Sequence, residues 1–598
     1  MRRTIVCLPL ILLACGVENH DIAADRDVAA AWTDVIVVGA GIAGLSAALE
    51  AARGGARVTV IDMNSQGAGH AILANGFAIV DTPLQRRRGY RDSPEQAYAA
   101  WLAYSPDGDR SWMRFYANNS RELIYDWVTE LGVRFDGLAF DFANRDVPRF
   151  HNTEAGAADV VLRIYRETLR HSNVDFRMNT EVTELSWDGS RVTGVRFRDL
   201  RSGATGALNG AAVVLATGGF ERNLDKVLQH WPVDEPRPQR LLSSAGEFAR
   251  GSGLELASRT GAMLTNLDKR YVYTYGLPDP RGSGNAERSI GFTNPRGIWV
   301  NGQGRRFVNV YATDKDIYAA VMRQEPAGFW IVFDRDGIDA IQPRDIRYRR
   351  DPRKYRREVL DNPELVQKAA SIAELAREAG LPAENLAGTV ARYNELVARG
   401  IDDDFGRFPT NISLNSTQRL EMPDLLNRPP YYAVRIFPNA VKSMGGVAID
   451  LDTRVRRDGG GTIPGLYAAG EVTGSAGING SYGLNGMFLG PALMTGRLAG
   501  QAALRALSAS PAWRPAEYTV DAQPVPSGTP ADFAMSAADL RRVVEASRPG
   551  YWHFEASHEL VLERGQACGA CHSAAMPQRQ AFDNGARLAQ LLSCRVCH

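Results

Sequence analysis

Two copies of the pattern Cys-x-x-Cys-His carry the most specific chemistry in this sequence. They are Cys568-Gly-Ala-Cys571-His572 and Cys594-Arg-Val-Cys597-His598. In such a pattern the two thiols add to the vinyl groups of a haem, and the adjacent histidine becomes an axial ligand of the iron. The sequence therefore predicts two covalently bound c-type haems. A structural zinc site is the alternative use of the same residue types.

The cysteine count supports the haem interpretation. The 598-residue chain contains six cysteines, and the two outside the motifs are Cys7 and Cys15. No thiol pair is therefore left for a structural disulfide. An electron-transfer haem needs a second axial ligand, for which we predict His553 and His558, just upstream of the first motif. Met576 is the alternative ligand for one iron.

The N-terminal segment has the layout of an export signal. Arg2 and Arg3 precede a short apolar run that ends at Cys15, which is the order of a signal peptide over residues 1–15. Leu-Leu-Ala-Cys at positions 12–15 also resembles a bacterial lipobox, in which the cysteine receives a lipid anchor. An ordinary cleavage site near Cys15 is the alternative. We predict an exported, periplasmic protein, with lipid anchoring at Cys15 left open.

Composition adds little about partners. Lys plus Arg number 69 against 68 for Asp plus Glu, and this balance gives no sign of a nucleic-acid partner. After the signal, no apolar run reaches the roughly 20 residues that a membrane span requires.

The elements that would position a second cofactor begin at residue 34. An apolar strand up to Val38 leads into Gly39-x-Gly41-x-x-Gly44 and a helix of small residues, and a second strand ends at Asp62. This order is the dinucleotide-binding βαβ unit, in which the glycines let a pyrophosphate approach a helix N-terminus and the acid binds a ribose. At this stage both NAD and FAD fit the pattern.

Six motifs, of which this glycine pattern is the first, occur along the chain in a characteristic order. They are Gly39-x-Gly41-x-x-Gly44, Ala216–Phe220, Arg306–Asn309, Thr389–Asn394, Met444–Gly446 and Gly470–Gly474. Through them, residues 34 to about 505 resemble the fumarate reductase and succinate dehydrogenase flavoprotein superfamily, which includes flavocytochromes c, urocanate reductases and 3-ketosteroid dehydrogenases. The resemblance implies FAD rather than NAD.

The resemblance also implies an architecture. We expect an α/β FAD-binding domain of the Rossmann type with an inserted α+β capping domain, followed by a small, mostly α dihaem cytochrome c domain. The expected boundaries are 30–272 and 443–507 for the FAD-binding domain, 273–442 for the capping domain, 508–548 for a Pro-rich linker and 549–598 for the cytochrome domain.

By the same resemblance, Asp62 would hold the adenosine ribose and Glu471 the ribityl or ribose hydroxyls. The whole expected FAD-binding set is Gly39, Gly41, Ala43, Gly44, Asp62, His70, Gly76, Val182, Thr217, Gly218, Glu471 and Leu489. The loop around His70 resembles the segment of membrane-bound succinate dehydrogenases whose histidine is covalently joined to FAD. A histidine that only hydrogen-bonds near the flavin is the alternative.

The expected catalytic residues depart from the fumarate reductase pattern. Alignment through Arg306–Asn309 puts Asp314 where those enzymes have a proton-donating arginine, and puts Tyr275 and Lys442 where they have substrate-binding histidines. Tyr482 falls on the catalytic tyrosine of the ketosteroid dehydrogenases, although the surrounding stretch matches only in part. Wall packing of the two tyrosines and a surface ion pair of Asp314 are the structural alternatives.

Together these expectations describe an FAD- and haem-dependent oxidoreductase. It would reduce or dehydrogenate a C–C bond beside a carbonyl or carboxylate, in a small unsaturated acid or enone, and exchange electrons with a cytochrome or quinol-linked partner. Two alternatives stay open: an electron-transfer module with a non-catalytic flavin domain, and a fumarate reductase with an atypical active site.

Overall fold

The structure is a computed structural model. It describes residues 31–520, apart from 65–66, 141–145, 155, 201, 281–286, 344, 346–347, 349–351 and 409–423. The predicted signal, the lipidation site, both haem motifs and the proposed axial ligands lie outside the described residues, as does most of the predicted linker.

The strands are numbered in chain order. They are β1 (Ala31–Val38), β2 (Val58–Ile61), β3 (Gly76–Ala78), β4 (Gly137–Ala139), β5 (Phe150–Asn152), β6 (Val174–Arg177), β7 (Thr180–Trp187), β8 (Val192–Asp199), β9 (Thr205–Leu215), β10 (Leu242–Ser243), β11 (Leu264–Thr265), β12 (Arg270–Gly276), β13 (Phe292–Thr293), β14 (Ile298–Val300), β15 (Phe329–Asp334), β16 (Gln342–Pro343), β17 (Val366–Ala369), β18 (Tyr431–Ser443), β19 (Gly446–Val447), β20 (Arg454–Arg456) and β21 (Thr462–Ala468).

The helices are numbered in the same way. They are α1 (Ile42–Arg53), α2 (Pro83–Arg87), α3 (Pro94–Tyr104), α4 (Arg110–Ser120), α5 (Trp127–Glu130), α6 (Ala157–Leu169), α7 (Leu224–Gln229), α8 (Ser252–Ser258), α9 (Asp314–Met322), α10 (Pro352–Tyr355), α11 (Ile372–Glu378), α12 (Ala383–Arg399) and α13 (Leu489–Ser508). Among the described residues, no helix combines the length and the apolar character needed to cross a membrane.

The larger sheet has the order β20-β21-β9-β1-β2-β6, and β8 and β7 extend it from β9. Strands β21, β9, β1, β2 and β6 run parallel. Their register aligns the carboxyl ends, because Val38 pairs with both Ile61 and Leu215, and Leu215 pairs with Ala468. The segments that follow these strands therefore meet at one sheet edge, the usual ligand site of such sheets.

Helix α1 covers one face of this sheet, and α13 packs against α1. The contact is close because α13 carries Gly496 and Gly500 opposite Ala43 and Ala47. A Cβ at either glycine would lie 2.2 or 2.3 Å from the facing carbonyl oxygen. Helix α13, the last helix among the described residues, therefore packs closely on α1, the first one.

A second sheet is built around the long strand β18. Its first half pairs with β15 and β17, and its second half pairs with β12 and β10. The side chains of this sheet form two hydrophobic clusters of their own with α9 to α12. Because β18 ends at Ser443, beside the edge of the larger sheet, it carries capping residues to that edge.

The predicted domain boundaries at 272/273 and 442/443 fall within β12 and β18, so the division into two domains stays a prediction. After α13 the chain packs against the segments that directly precede β2 and β6, at the opposite ends of these strands from the carboxyl edge. There Ala516 donates its amide to the Gly55 carbonyl, and Val520 forms a bridge with His171.

Candidate active site: a cofactor cleft and an adjoining polar cluster

A cleft of about 1330 Å³, part of which is open to solvent, lies at the carboxyl edge of the parallel strands. Its walls come from the turns after β1, β2, β9 and β21, together with the end of β18 and the start of α13. The aligned strand ends explain why segments distant in sequence line a single cavity.

The turn after β1 is built from glycines that have different functions. Gly39 has a φ of 111°, and a Cβ there would lie 2.3 Å from the Ala216 carbonyl oxygen. A Cβ at Gly44 would lie 1.8 Å from the Gly39 carbonyl oxygen. Around Gly41, by contrast, a Cβ would meet no atom within 4 Å. Gly39 and Gly44 therefore allow close backbone packing within the protein, whereas Gly41 leaves open space at the N-terminus of α1.

Asp62 closes the same part of the cleft. Its carboxylate accepts hydrogen bonds from the backbone amides of Ala40 at 2.6 Å and Asn64 at 2.7 Å. Burial raises the pKa of the Asp62 carboxyl, although these two amide bonds oppose the rise. The side chain is therefore held in a fixed orientation on the cleft wall.

Two buried hydroxyl groups on the cleft wall are available to bind a cofactor. The hydroxyl oxygens of Thr217 and Ser475 are buried on its wall and have no hydrogen-bond partner among the described residues. Buried polar atoms are normally hydrogen-bonded, so these hydroxyls suit a bound group with donors and acceptors. Together with the open space at Gly41, they make the cleft fit the FAD that the motifs imply.

Most of the predicted FAD-binding residues reach this cleft. Those on its wall are Gly39, Gly41, Ala43, Asp62, His70, Val182, Thr217, Gly218, Glu471 and Leu489. Gly44 instead packs behind the turn. Gly76 lies in β3 opposite Asn152 and is not on the wall. His70 lies on a 3₁₀ turn, Gly69–Leu73, and faces Gly246.

Lys442 joins the cleft to a polar cluster on the capping side. It lines the cleft together with Phe488, and its ammonium lies 4.4 Å from the centre of the Phe488 ring. Burial lowers the pKa of Lys442, and the charge of Glu471 opposes this change. The register of β12 and β18 sets Lys442 opposite Tyr271, whose ring lies 5.5 Å from that of Phe488.

Asp314 and Tyr271 form the centre of this cluster. Asp314 is the first residue of α9, which Thr313 caps, and its carboxylate accepts a hydrogen bond from the Tyr271 hydroxyl. Burial raises the pKa of the Asp314 carboxyl, and the bond from Tyr271 opposes the rise. Burial and the charge of Asp314 also raise the pKa of Tyr271. The pair is thus a hydrogen-bonded acid and phenol, not the surface ion pair that the sequence left open.

Tyr482 lies on the neighbouring loop. The Lys315 ammonium is 4.0 Å from the centre of its ring, and Tyr104 packs edge-on against it at 6.4 Å. The loop touches the Asp314 partner directly, because a Cβ at Gly483 would lie 2.5 Å from the ring of Tyr271. The structure therefore brings Tyr482 close to the Tyr271–Asp314 pair, although neither Tyr482 nor Asp314 is on the cleft wall.

Asp107 anchors the loop that carries Tyr482. It accepts hydrogen bonds from the Ser481 amide at 3.0 Å and the Ser481 hydroxyl at 2.5 Å, and it pairs with Lys269 at 2.8 Å. Partial burial opposes ionisation, but these bonds and the Lys269 charge hold the pKa of Asp107 at about 2. The anchor is therefore ionised at any physiological pH.

Tyr275 lies farther from the cluster. Its ring stacks on Tyr273 at 4.6 Å, and Tyr273 meets Tyr271 edge-on at 5.0 Å. Tyr271, Tyr273 and Tyr275 alternate along β12 and so share a face of the strand. The sequence pattern predicts Tyr275 as a catalytic residue, whereas the residue that contacts Asp314 is Tyr271. The alternation of three tyrosines was a signal for the shared face, but only the start of α9 shows which hydroxyl meets Asp314.

The arrangement can bind an extended cofactor and move a proton beside it. Backbone amides and small side chains line the cleft, and Lys442 and Phe488 form its capping wall. Beside that wall, Tyr271 and Asp314 hold a proton between them in surroundings that weaken both as acids. Such a pair is suited to general acid–base chemistry at a carbon next to the cofactor.

Comparison with known proteins gives consistent matches. A family model described as an FAD binding domain matches residues 34–489. The cytochrome-type fumarate reductase of Shewanella frigidimarina is 30% identical over 478 residues, which cover 79% of this chain and 77% of that protein. A KsdD-like steroid dehydrogenase of Mycobacterium tuberculosis is 29% identical, covering 81% of this chain and 98% of that protein.

Among solved structures, the open conformation of a flavocytochrome c3 fumarate reductase superposes with a TM-score of 0.62 at 26% identity. The match covers 80% of this chain and 78% of that chain. With the family match over residues 34–489, it confirms the predicted α/β FAD-binding fold with a capping domain.

Proposed function

This chain belongs to the FAD-binding domain family, and from that premise we propose that it transforms a C–C bond next to a carbonyl or carboxylate in a small organic molecule. It is an FAD-dependent oxidoreductase acting on CH–CH groups. We further propose the class of substrate, the residues that catalyse its conversion and the route of the electrons.

The observation that carries the proposal is the hydrogen-bonded pair Tyr271–Asp314 beside the cofactor cleft. When FAD is bound, it supplies hydride transfer to or from one carbon of the substrate. The neighbouring carbon must then gain or lose a proton, and a positioned acid–base group accelerates that transfer. Asp314, held by Tyr271 and raised in pKa by burial, is our candidate for that role.

Tyr482 is the candidate that polarises the carbonyl. Its loop is anchored by Asp107 and packs against Tyr271. A phenol hydroxyl directed at the substrate oxygen stabilises the negative charge that develops there during proton transfer. Lys315, over the same ring, adds positive charge at this end of the site.

The charges favour a substrate with at most one carboxylate. Lys442 is the only lysine or arginine among the described residues that line the cleft, and its pKa is lowered by burial. Because the Lys315 ammonium already faces the Tyr482 ring, the second carboxylate of a dicarboxylate would lack a partner of its own in partly buried surroundings, which is costly. We therefore propose a monocarboxylate or an enone.

An anaerobic reoxidation screen tests this proposal. The full-length holoprotein is reduced with dithionite and mixed with unsaturated monocarboxylates, a dicarboxylate such as fumarate, and enones, while flavin absorbance is recorded. We expect rapid reoxidation by a monocarboxylate or an enone and little by fumarate. If none of the compounds reoxidises the flavin, the chain is an electron-transfer module rather than an enzyme of this kind.

For the electron route, we propose that Cys568, Cys571, Cys594 and Cys597 hold two c-type haems. Four residues would complete the iron coordination: His572, His598, His553 and His558. Haem iron supplies one-electron transfer, which matches a cytochrome or quinol-linked partner outside the cytoplasm. A haemochrome assay of the exported protein should give two haems per chain, and a result of none would reject this part.

His70 is a separate proposal, namely a covalent bond to the flavin. Its support is its place on the cleft wall. On a denaturing gel, flavin fluorescence should migrate with the polypeptide and disappear in His70→Ala. Flavin that runs free of the wild-type polypeptide would leave only the hydrogen-bonding role.

A further inference from the structure

Two carboxyl groups meet at the cofactor cleft, one on its wall and one behind it, and the proposed reaction does not use them. Glu471 follows β21 and lies on the cleft wall. Glu221 follows the glycine turn after β9 and is 0% exposed. Three segments far apart in sequence bring them together, because the end of β18 places Ser443 between them.

Ser443 connects the two carboxyls directly. Its backbone amide donates to Glu471 at 3.0 Å, and its hydroxyl is hydrogen-bonded to Glu221. The Phe220 amide donates to the Ser443 hydroxyl oxygen at 3.0 Å. That hydroxyl therefore has its own proton free to donate to Glu221.

The carboxyl oxygens are also close to each other. A Cβ placed on Gly219 would lie 2.6 Å from a Glu471 oxygen and 2.8 Å from a Glu221 oxygen, so those oxygens are no farther apart than the two distances combined. Only a glycine fits at this position. Two carboxylates at such a separation in buried surroundings do not both ionise readily.

The charges around the pair are unequal. Glu471 has Lys442 as a counter-charge, whereas Glu221 has no cation bonded to it among the described residues. The nearest arginine in sequence, Arg222, instead pairs with Glu247. The second oxygen of Glu221, Oε1, is buried without a hydrogen-bond partner in the described part of the chain. Burial and the charge of Glu471 raise the pKa of Glu221 to about 8.

We propose that Glu221 is a redox-linked proton site, whose carboxylate, when ionised, takes up one proton as the cofactor is reduced. The idea rests on FAD binding in the cleft but not on the identity of any substrate. Two-electron reduction of FAD with uptake of one proton adds one negative charge to the cleft. Above the pKa of Glu221 the pair carries two negative charges, so this added charge draws a second proton from solvent onto the Glu221 carboxylate.

The balance differs on the two sides of that pKa. Below it, Glu221 is already protonated, and reduction takes up two electrons and one proton. Above it, reduction takes up two electrons and two protons, the second one forming the Glu221 O–H bond. The site would thus link cofactor reduction to pH. Glu221 would do so without contacting the substrate, so it is not a catalytic residue of the proposed reaction.

The test is the pH dependence of the flavin midpoint potential in the full-length holoprotein. Flavin absorbance is followed during reductive titration. The contribution of the haems, determined at their own absorption bands, is subtracted. We expect the wild type to show a steeper dependence above about pH 8 than below it. Glu221→Gln should lose this change of slope, because an amide cannot take up the proton.

Glu247→Gln is the matched control. Glu247 is a buried carboxylate on the same cleft, but Arg222 and Arg250 neutralise it. This variant should keep the change of slope. A single slope in the wild type, or an unaltered change of slope in Glu221→Gln, would overturn the proposal.

A second measurement covers the case in which Glu221→Gln loses its flavin. The reduced-minus-oxidised infrared spectrum of the wild type should show a new protonated-carboxyl band well above pH 8, and no such band near pH 6. Absence of the band at high pH would overturn the proposal. Both readouts use dithionite as the electron donor, so they stay informative even if no compound in the reoxidation screen is accepted.

Discussion

The cofactor cleft and the polar cluster beside it are built from different kinds of chemistry. The turns of the cleft rely on glycines and backbone amides, and their positions follow from strand ends in register. The cluster relies on side chains from three separate segments, namely Tyr271, Asp314 and Tyr482. A backbone-built site tolerates little change and is shared across a family, whereas a side-chain-built site can be altered to suit a new substrate.

Replacing Gly39 should have the largest effect, because it breaks the cleft itself. In Gly39→Ala the new Cβ lies 2.3 Å from the Ala216 carbonyl oxygen, at a φ of 111°, which costs roughly 3 kcal/mol or more. We expect purified protein without bound flavin and with a lowered Tm, as measured by absorbance and thermal unfolding.

Gly41→Ala is the comparison for that variant. A Cβ at Gly41 meets no protein atom within 4 Å, so the free energy of unfolding of the apoprotein should change by less than about 1 kcal/mol. Flavin affinity should fall, because the methyl group enters the cleft. Equal losses of Tm in both variants would contradict the distinct functions assigned to the two glycines.

Tyr482→Phe should leave the cleft intact and slow the chemistry. Loss of a hydroxyl that stabilises developing charge lowers kcat about 10²-fold, whereas flavin content should stay that of the wild type. Tyr104→Phe removes a hydroxyl from the ring packed against Tyr482 but keeps that ring, and it should change kcat by less than about threefold. If the two variants behave alike, Tyr482 serves only to pack the loop.

Asp107→Asn should have a smaller effect that acts through position. The change removes the ion pair with Lys269 and weakens the bonds to Ser481, so the Tyr482 loop loosens and kcat falls about tenfold. Ser481→Ala keeps the amide bond to Asp107 and should lose less. Steady-state kinetics with measured flavin content check both, and an unchanged kcat in Asp107→Asn would show that the loop needs no anchor.

Glu221 should also make the stability of the protein depend on pH. Glu221 keeps its proton in the native state up to about pH 8, whereas in the unfolded chain it ionises near pH 4.3. Between these values the native state binds more protons, so the free energy of unfolding falls as pH rises, by at most about 1.4 kcal/mol per unit. Urea unfolding should show a flatter dependence in Glu221→Gln, and equal slopes would contradict the raised pKa.

The two regions also differ in how well the sequence predicts them. Gly39 and Asp62 could be assigned because a strand, a turn and a helix that are adjacent in sequence define their environment. Tyr271 could not, because its partner depends on the start of α9 and on its register against β18. Glu221 was missed for the same reason, since its environment is set by Ser443 and Glu471, more than 200 residues away.

The rate of flavin reoxidation in Asp314→Asn shows whether Asp314 supplies the proton. With the best acceptor from the screen, we expect a rate lower by about 10² to 10³-fold, with full flavin content, because the proton donor is lost and the cleft is not. Asp316→Asn, an exposed position on the same helix, should stay close to the wild-type rate. A wild-type rate in Asp314→Asn would mean that Asp314 does not supply the proton.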